Sequence, residues 1–333
     1  MKSSLDLSRI KIRLENISKK ATKFVSFIPS ELSSQIPDLS SNFSSTVSCL
    51  ESFEETHEIK PECNELMKEW NIFAYDESVQ DYRALEGDLL FCSSSTIKIE
   101  NEYCFNLSVS PYFLTGMKKF KNSASEDIHY AENTAEERNL ILTNAKTGSI
   151  LASVEPHSII LIDGPLLGGN VSGYIEKMDQ ELREKGCIPL YFVKNSDSKL
   201  VIAANKRLSE EYNSDFHWAA CRLNSGSRSP FFRYTEELVS RHSKVFTYMK
   251  ALYGFPERLE MHPETYEKYY SVMPSLMSLL AYFYLVQGDR SNPQVRPIAI
   301  AEKYAREGIR ILNIPVLLNR LGFRPTINQI RFG

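Results

Sequence analysis

The sequence predicts an α/β protein whose mixed sheet is flanked by helices and preceded by a helical N-terminal arm. Two observations lead to this fold class. Three strand-like runs follow one another directly after Asn71, and a strand–helix–strand unit lies between residues 157 and 196. Successive strands without a helix between them pair antiparallel, whereas the strands of a βαβ unit pair parallel. We therefore expect both kinds of pairing in the sheet.

The arm is predicted from the composition and spacing of residues 1–70. They are rich in serine and carry apolar residues at helix-like spacing, among them Ile10, Leu14 and Ile17. We interpret this segment as a helical arm and residues 71–333 as the main domain. Terminal helices most often only pack against a domain, so a purely structural role is the simpler interpretation.

The first strands of the main domain are predicted from the runs IFAY, DLLFCSSSTIKI and EYCFNLSVS, which are rich in β-forming residues. A helix is expected next, from about Asn133 to Val154. Its start is inferred from Thr134 and Glu137, which have the spacing of a capping box.

The βαβ unit begins with the buried run Ile159–Ile162 and ends with the run in CIPLYFVKNS. Between them, Ile175 and Leu182 share a helical face, and Gly186 ends the helix. Weaker strands are expected near residues 231–234 and 244–248, and further helices near 265–286 and 297–312. The sequence contains neither a Gly-x-Gly-x-x-Gly nor a Walker motif, which disfavours a nucleotide-cradling fold.

Composition and charge are those of an ordinary folded protein of 333 residues, with 42% hydrophobic and 24% charged residues. Lys and Arg number 39 against 42 Asp and Glu, which gives a net charge of −3. This balance excludes a polycation that coats nucleic acid, although it leaves room for a local basic groove.

The six cysteines are scattered, with no Cys-x-x-Cys pair and no histidine at zinc-ligand spacing. We expect reduced thiols and no structural zinc site. The N-terminus lacks the apolar core of a signal peptide, and the longest apolar stretch, near Met277–Val286, is about half of a membrane span. The sequence therefore predicts a cytoplasmic protein that does not enter membranes.

Two aspartates stand where buried strands end. Asp76 closes the run IFAY, and Asp163 closes the run IILI. If these strands are neighbours, the two carboxylates converge at one edge of the sheet and begin a site for a hard cation such as Mg²⁺ or Mn²⁺. Each aspartate alone could equally be a turn former.

Three further charged residues are candidates for the same site. Glu137 shares a helix face with apolar neighbours, and Glu302 lies on the buried stripe of the last helix, where a carboxylate needs a cation. The partner of Glu302 is either Arg306, four residues on, or a metal ion. Lys194 follows the strand next to that of Asp163 and is either a solvated loop residue or a phosphate contact.

In this order, the motifs resemble the NurA nuclease domain. IFAYDES stands where that family has a strand ending in Asp-Gly-Ser, IILIDGPL matches its strand-Asp-Gly-[Ser/Pro]-Leu motif, and IPLYFVKNS matches the strand and lysine that follow. QVRPIAIAEKYARE is similar to the signature Tyr-Pro-x-Pro-Leu-x-x-Ala-His-x-x-Ala near the end of the family. The resemblance covers about residues 70–320.

The resemblance implies a ribonuclease-H-like core and a Mn²⁺-dependent (or Mg²⁺-dependent) nuclease that acts on DNA. It also implies a homodimer that works with the hexameric HerA translocase in DNA end processing or phage defence. The family's metal ligands match Asp76 and Asp163, with Glu137, or its neighbour Glu136, as the acid on the intervening helix. Glu302 completes the expected acidic cluster.

The chain departs from the family pattern at three positions. Glu77 replaces a small residue beside Asp76, Gln294 stands at the usual Tyr position, and Glu302 stands at the usual His position. A carboxylate at residue 302 still suits a hard cation. The loss of the Tyr brings substrate positioning into question.

In the expected mechanism, the acidic cluster binds one or two metal ions that activate water, while Lys194 offsets charge on the phosphate. DNA contact is expected from RLNSGSRSPFFR, in which Arg222, Arg228 and Arg233 alternate with aromatic residues suited to base stacking. An ordinary strand and loop is the alternative interpretation of that segment.

Three classes of function are compatible with the sequence. The first is a metal-dependent DNA nuclease. The second is a catalytically weakened relative that serves as a structural subunit of a HerA assembly. The third is an unrelated α/β binding module whose acids form turns and salt bridges.

Overall fold

The computed structural model of the protein describes residues 10–12, 45–53, 55–85, 87–101, 103–114, 126–167, 172–194, 197–236, 242–251, 254–289 and 294–324. In these ranges, a single large sheet carries helices on both faces. Among the described helices, none has the length and apolarity that crossing a membrane requires.

The sheet consists of strands that are numbered here in chain order. They are β1 (Ile10–Ile12), β2 (Ser45–Cys49), β3 (His57–Glu58), β4 (Asn71–Ala84), β5 (Gly87–Lys98), β6 (Tyr103–Phe113), β7 (Ser158–Asp163), β8 (Ile188–Val193), β9 (Ser227–Arg228), β10 (Phe232–Glu236), β11 (Ser243–Lys250) and β12 (Glu257–Met261). Their order across the sheet is β1-β6-β5-β4-β7-β8-β12-β11-β10-β2, and β9 pairs with both β3 and β11.

The helices connect the strands or cover the sheet. They are α1 (Leu66–Glu69), α2 (Glu126–Ser153), α3 (Ser172–Glu184), α4 (Leu200–Ala203), α5 (Lys206–Glu211), α6 (Asp215–Arg222), α7 (Pro263–Lys268), α8 (Met273–Gln287), α9 (Arg296–Leu312) and α10 (Ile314–Arg320). Single 3₁₀ turns lie at Ile99–Asn101 and Tyr270–Val272.

The centre of the sheet has the predicted mixture of strand directions. β4, β5 and β6 form an antiparallel meander, β7 pairs parallel with β4, and β8 pairs parallel with β7 across the α3 crossover. The five strands have the spatial order β6-β5-β4-β7-β8, so the first three strands of this group stand in reverse chain order beside the parallel pair. The predicted mixed α/β fold is confirmed.

The two faces of the sheet are covered by different helices because side chains alternate along each strand. Ala74 of β4 packs in one buried cluster with residues of α8 and with Ile298 of α9. Its neighbour Tyr75 packs on the other face with Ile150 of α2 and with α3. α9 approaches β5 closely at Gly308, where a Cβ would lie 2.5 Å from Ser93 Oγ.

The described part of residues 1–70 differs from the predicted helical arm. It contains the three short strands β1, β2 and β3 and the single helical turn α1. Ile10 and Ile12 alternate with Lys11, which is the period of a strand, and β1 pairs parallel with β6. β2 includes the β-branched Thr46 and Val47 and pairs with β10. Residues 1–9 and 13–44, with the remaining predicted helix, lie outside the described residues.

β12 was not predicted from the sequence, although it completes the sheet beside β8. From Arg258 to Met261 its sequence alternates charged and apolar residues, which is typical of a strand with one face in solvent. In the structure all five residues are buried. The charged face, with Arg258 and Glu260, is buried together with other charged groups such as Lys244 and is not in solvent.

Candidate active site

Asp76 and Asp163 lie side by side at the level where β7 ends, which is called the site edge here. Asp163 is the last residue of β7, whereas β4 continues past Asp76 to Ala84, so Asp76 does not close its strand as the sequence predicted. In the parallel pairing of β4 with β7, Tyr75 is the register partner of Ile162. The next residue on each strand is the aspartate, so the two carboxyl groups leave adjacent strands at the same level and on the same face. The convergence that the strand-end motifs predicted is therefore present in the backbone.

The next two strands bring a base and an acid to the same edge. Lys194 directly follows β8, and Glu257 begins β12. Arg258 pairs with Val193 in the antiparallel register, so Glu257 lies opposite Lys194. Four adjacent strands thus contribute Asp76, Asp163, Lys194 and Glu257 to one row of charged side chains.

Lys194 lies among these carboxylates. Its Nζ is 3.2 Å from Asp163 Oδ1, and both side chains are 28% exposed. Burial alone would lower the pKa of Lys194, but the carboxylates of Asp163, Asp76, Glu302 and Glu257 raise that pKa above its ordinary value. The ammonium group is therefore held in its charged form by the acids around it.

Asp76 is almost completely buried, with 4% of its surface exposed. The backbone N–H of Glu77 donates to its Oδ1 at 2.7 Å. Burial, followed by the nearby carboxylates of Asp163 and Glu77, raises the pKa of Asp76 to about 8, while Lys194 opposes the shift. A cation at this position would stabilise the ionised form.

Glu257 is the residue of the site that sequence reasoning missed. Neither of its carboxylate oxygens has a hydrogen-bond partner within the described part of the chain. Burial raises its pKa to about 8, with Lys194 opposing the shift and Asp163 adding to it. The sequence signal that could have found Glu257 is its position at the start of β12, the strand next to Lys194. That signal was lost because β12 was not predicted.

Glu302 reaches the same face from α9. Its Oε2 accepts a hydrogen bond from Gln294 Nε2 at 2.6 Å, and its Oε1 pairs with Arg306. The i+4 salt bridge that the sequence offered as an alternative to a metal contact is therefore formed. The negative charge of Glu302 also raises the pKa of Lys194. Gln294, at the family's Tyr position, holds Glu302 from within the buried core.

A second ion pair lies on the opposite face of the strand ends. Lys146 of α2 donates from Nζ to the backbone O of Asp163 at 2.8 Å, and the same Nζ lies 3.6 Å from Glu77 Oε1. Burial raises the pKa of Glu77, and Lys146 counteracts that rise. Gly164 turns the chain with φ +103°, and a Cβ there would lie 3.2 Å from Lys146 Nζ. Lys146 therefore fixes the loop that carries Asp163.

Glu137 and Glu136 are not brought to the strand ends. Glu137 lies nine residues before Lys146 on α2, which is about 13 Å along the helix axis. Glu136 is exposed. The predicted capping box is absent because α2 begins at Glu126, so that Thr134 lies inside the helix. The residue that α2 presents to Asp163 is a lysine.

Arg228 and its aromatic neighbours are engaged in the fold. Its guanidinium forms a two-point ion pair with Glu51, at 2.6 and 2.9 Å, and lies 4.4 Å from the ring centroid of Phe231. Phe231 and Phe232 are each only 2% exposed. These aromatic rings are therefore not free to stack on bases, contrary to the sequence-based expectation.

The other two arginines of that segment differ in their surroundings. Arg233 pairs with Glu267 of α7. Arg222 is exposed in the last turn of α6. The segment does not form the continuous basic and aromatic surface that its sequence suggested.

The chemistry of the acids at the strand ends suits a hard divalent cation, since all the donors are carboxylate oxygens. The unpartnered oxygens of Glu257 fit the same interpretation. Even so, no three His, Cys, Asp or Glu side chains in the described ranges stand where they could jointly hold a metal ion. In this arrangement Asp163 is paired with Lys194, and Glu302 is paired with Arg306.

Comparison with solved structures finds nucleases. The NurA nuclease from Sulfolobus solfataricus matches with a TM-score of 0.49 and 13% identity, over 80% of this chain and 87% of that chain. The chain is similar to the NurA nucleases. A structure of NurA with manganese matches with a TM-score of 0.39 and 10% identity, over 80% of this chain and 91% of that chain.

A second group of similar structures consists of endonuclease V proteins. The enzyme from Bacillus subtilis matches with a TM-score of 0.40 and 10% identity, over 79% of this chain and 88% of that chain. No protein-family model matches the sequence. No curated protein matches it either.

Proposed function

We propose that the protein is a deoxyribonuclease that hydrolyses phosphodiester bonds with the help of a divalent cation, Mn²⁺ or Mg²⁺. One observation carries the proposal. Asp76 and Asp163 leave adjacent parallel strands at the same level, beside the ammonium group of Lys194. Paired carboxylates with a neighbouring cation are the components that metal-assisted phosphoryl chemistry requires.

In this proposal Asp76 and Asp163 hold the cation. When bound, the cation activates water and offsets the charge of the scissile phosphate. Lys194 supplies a second positive charge at the same edge, where it suits a non-bridging phosphate oxygen. Glu302, which is fixed by Gln294 and Arg306, contributes negative charge that holds Lys194 in its protonated form.

The expected partners follow from the resemblance to NurA. We propose DNA as the substrate, a homodimer as the working form, and a hexameric HerA-type ATPase as partner in end processing or phage defence. Exposed apolar side chains on the aromatic helical region support an interface there: Tyr270 is 61%, Leu285 42% and Val286 37% exposed. The N-terminal arm is the other candidate surface.

The proposal is tested by cleavage of labelled single- and double-stranded DNA in Mn²⁺ and in a chelator. Wild-type protein is expected to cleave only with the metal. Asp163→Asn is expected to abolish cleavage with little change in stability, because Asp163 lies at a strand end and not in the core. Full activity of this variant, or its unfolding, would count against the assignment.

A second candidate function is the structural subunit of a HerA assembly, without catalysis of its own. The observation in its favour is that Asp163 is engaged by two lysines, through its carboxylate by Lys194 and through its backbone oxygen by Lys146. This alternative predicts no cleavage by wild-type protein, together with co-purification of a ring ATPase that Asp163→Asn leaves unchanged.

A further inference from the structure

We infer that Glu257 supplies the third acidic group of the cation site, in the role that the sequence suggested for Glu137. In the present arrangement no three acids of the described residues could jointly hold a metal ion, so the carboxylates of Asp76, Asp163 and Glu257 must close on the ion when it binds. The inference rests on the proposed function, since it assumes a cation between the strand ends. It adds a ligand from β12, a strand outside the five-stranded centre of the sheet.

Among the residues described, Glu257 lacks the hydrogen-bond partners that other buried acids of this protein have. Glu260, on the same strand, is fully buried and accepts hydrogen bonds from Lys244 at 2.6 Å, from Arg258 at 2.8 Å and from the backbone N–H of Leu166 at 2.9 Å.

Asp215 is equally buried and equally well satisfied. It accepts from three backbone N–H groups at 2.7 to 3.0 Å and from the hydroxyl of Tyr248 at 2.9 Å. Both oxygens of Glu257, in contrast, have no partner in the described part of the chain. A buried carboxylate without donors is costly unless a cation compensates it.

Glu257 leaves β12 on the side of the sheet where the proposed site lies. Glu257 alternates with Arg258 along β12 and so shares the face of Leu259 and Met261, which pack in the cluster under α8 and α9. Asp76 and Asp163 lie at the end of that same face. In the antiparallel register Glu257 lies opposite Lys194, whose Nζ contacts Asp163 Oδ1. Its carboxylate therefore faces the proposed site.

The charges around Lys194 also favour a bound cation. Lys194 brings one positive charge to a position where four carboxylates, those of Asp163, Asp76, Glu302 and Glu257, act on it. Arg306 compensates Glu302 from the outer side of α9. With all four carboxylates ionised, their four negative charges exceed the positive charges of Lys194 and Arg306 by two, which one divalent cation would balance. Glu257 has the free oxygens to contribute to its binding.

The test is calorimetric titration of Mn²⁺ into full-length protein without substrate. Glu257→Gln keeps the shape of the side chain and removes its charge, and we expect it to weaken Mn²⁺ binding by about tenfold or more. Glu155→Gln is the matched control: Glu155 is 46% exposed, pairs with Lys98 and precedes the opposite end of β7. The control is expected to bind Mn²⁺ like wild type.

Glu257→Asp provides a second variant should the glutamine variant not fold. It keeps the charge but shortens the side chain. If Glu257 is a ligand, this variant binds Mn²⁺ more weakly than wild type; if Glu257 is merely buried, the affinity for Mn²⁺ is unchanged. Equal Mn²⁺ affinity in wild type and both variants overturns the inference while leaving the nuclease proposal intact. Absence of Mn²⁺ binding and of DNA cleavage in wild type overturns both.

Discussion

Lys194 Nζ lies 3.2 Å from Asp163 Oδ1, so an ammonium group stands at the strand ends where the motifs place a metal-binding carboxylate. Asp76, Glu257 and Glu302 are the other acids that act on it. Lys194 thus connects the electrostatics of four strands and α9. The proposed role of Lys194 at the phosphate can be separated experimentally from metal binding.

Lys194→Gln is expected to lower the cleavage rate strongly while leaving Mn²⁺ affinity equal or tighter. The physical reason is that the substitution removes positive charge from the phosphate and, at the same time, removes a competitor of the cation for Asp163. Cleavage rates and Mn²⁺ titration of the same preparation measure both effects. An unchanged rate would show that Lys194 only balances charge.

Stability without divalent metal is expected to fall as the pH rises from about 5 to 8. The pKa values of Asp76 and Glu257 are both raised to about 8 in the folded protein, against ordinary values of 3.8 and 4.5. Between these values the folded protein holds protons that the unfolded chain has released. The stabilisation from these protons is complete at low pH and is lost as the pH approaches 8.

Melting temperatures in chelator across this range measure the effect, and Mn²⁺ is expected to restore stability at pH 8. Asp179 acts in the same direction at lower pH, since burial raises its pKa to about 6. Glu257→Gln is the control that isolates the site, because its pH slope should be shallower than that of wild type. A wild-type melting temperature that rises towards pH 8 would contradict the account.

Glu302 and Arg306 are expected to differ in importance although they form one ion pair. Arg306 has a side chain that is 68% exposed, so Arg306→Ala should cost less than about 1 kcal/mol and leave cleavage nearly intact. Glu302→Gln removes a charge that acts on Lys194 and is expected to reduce cleavage much more. Equal effects of the two substitutions on the cleavage rate would reduce Glu302 to a salt-bridge partner.

Glu260 is expected to support the loop that carries Asp163. Its carboxylate accepts from the backbone N–H of Leu166, three residues after Asp163, and from two buried cations. Removing one partner of such a buried group typically costs about 3–5 kcal/mol. Urea unfolding of Glu260→Gln measures this loss, and cleavage by its folded fraction should also be reduced.

Glu264→Gln is the surface control for that experiment. Glu264 is 70% exposed and pairs with Arg183, so its substitution should cost less than about 1 kcal/mol. A Glu260 variant as stable as this control would contradict the structural role.

The centre of the fold was predictable because its strands are long apolar runs with clear ends. Asp76 and Asp163 terminate such runs, and the parallel pairing of β4 with β7 then places them together. β12 was missed because it has only five residues, ERLEM, and lacks the apolar run from which the central strands were predicted. Two edge strands in the predicted arm, β1 and β2, were missed because they are short.

The helix contribution to the site could not be read from periodicity. A helical pattern shows which face a residue occupies, but it does not show how far along the axis the residue lies. α2 is 28 residues long, so a face match left Glu137 about 13 Å from the position that Lys146 occupies. The pairing of Arg228 with Glu51 could not be predicted either, because the two residues are 177 positions apart in the sequence and no local pattern connects them.

The most direct test of the central claim is the single-turnover rate at which labelled duplex DNA is cleaved at saturating Mn²⁺, measured for wild type and Asp76→Asn. Wild type is expected to cleave the duplex until a chelator is added, and Asp76→Asn is expected to remain folded and to lose that cleavage. Wild-type protein that is folded, loaded with Mn²⁺ and unable to cleave DNA, or an Asp76→Asn variant as fast as wild type, would contradict that claim.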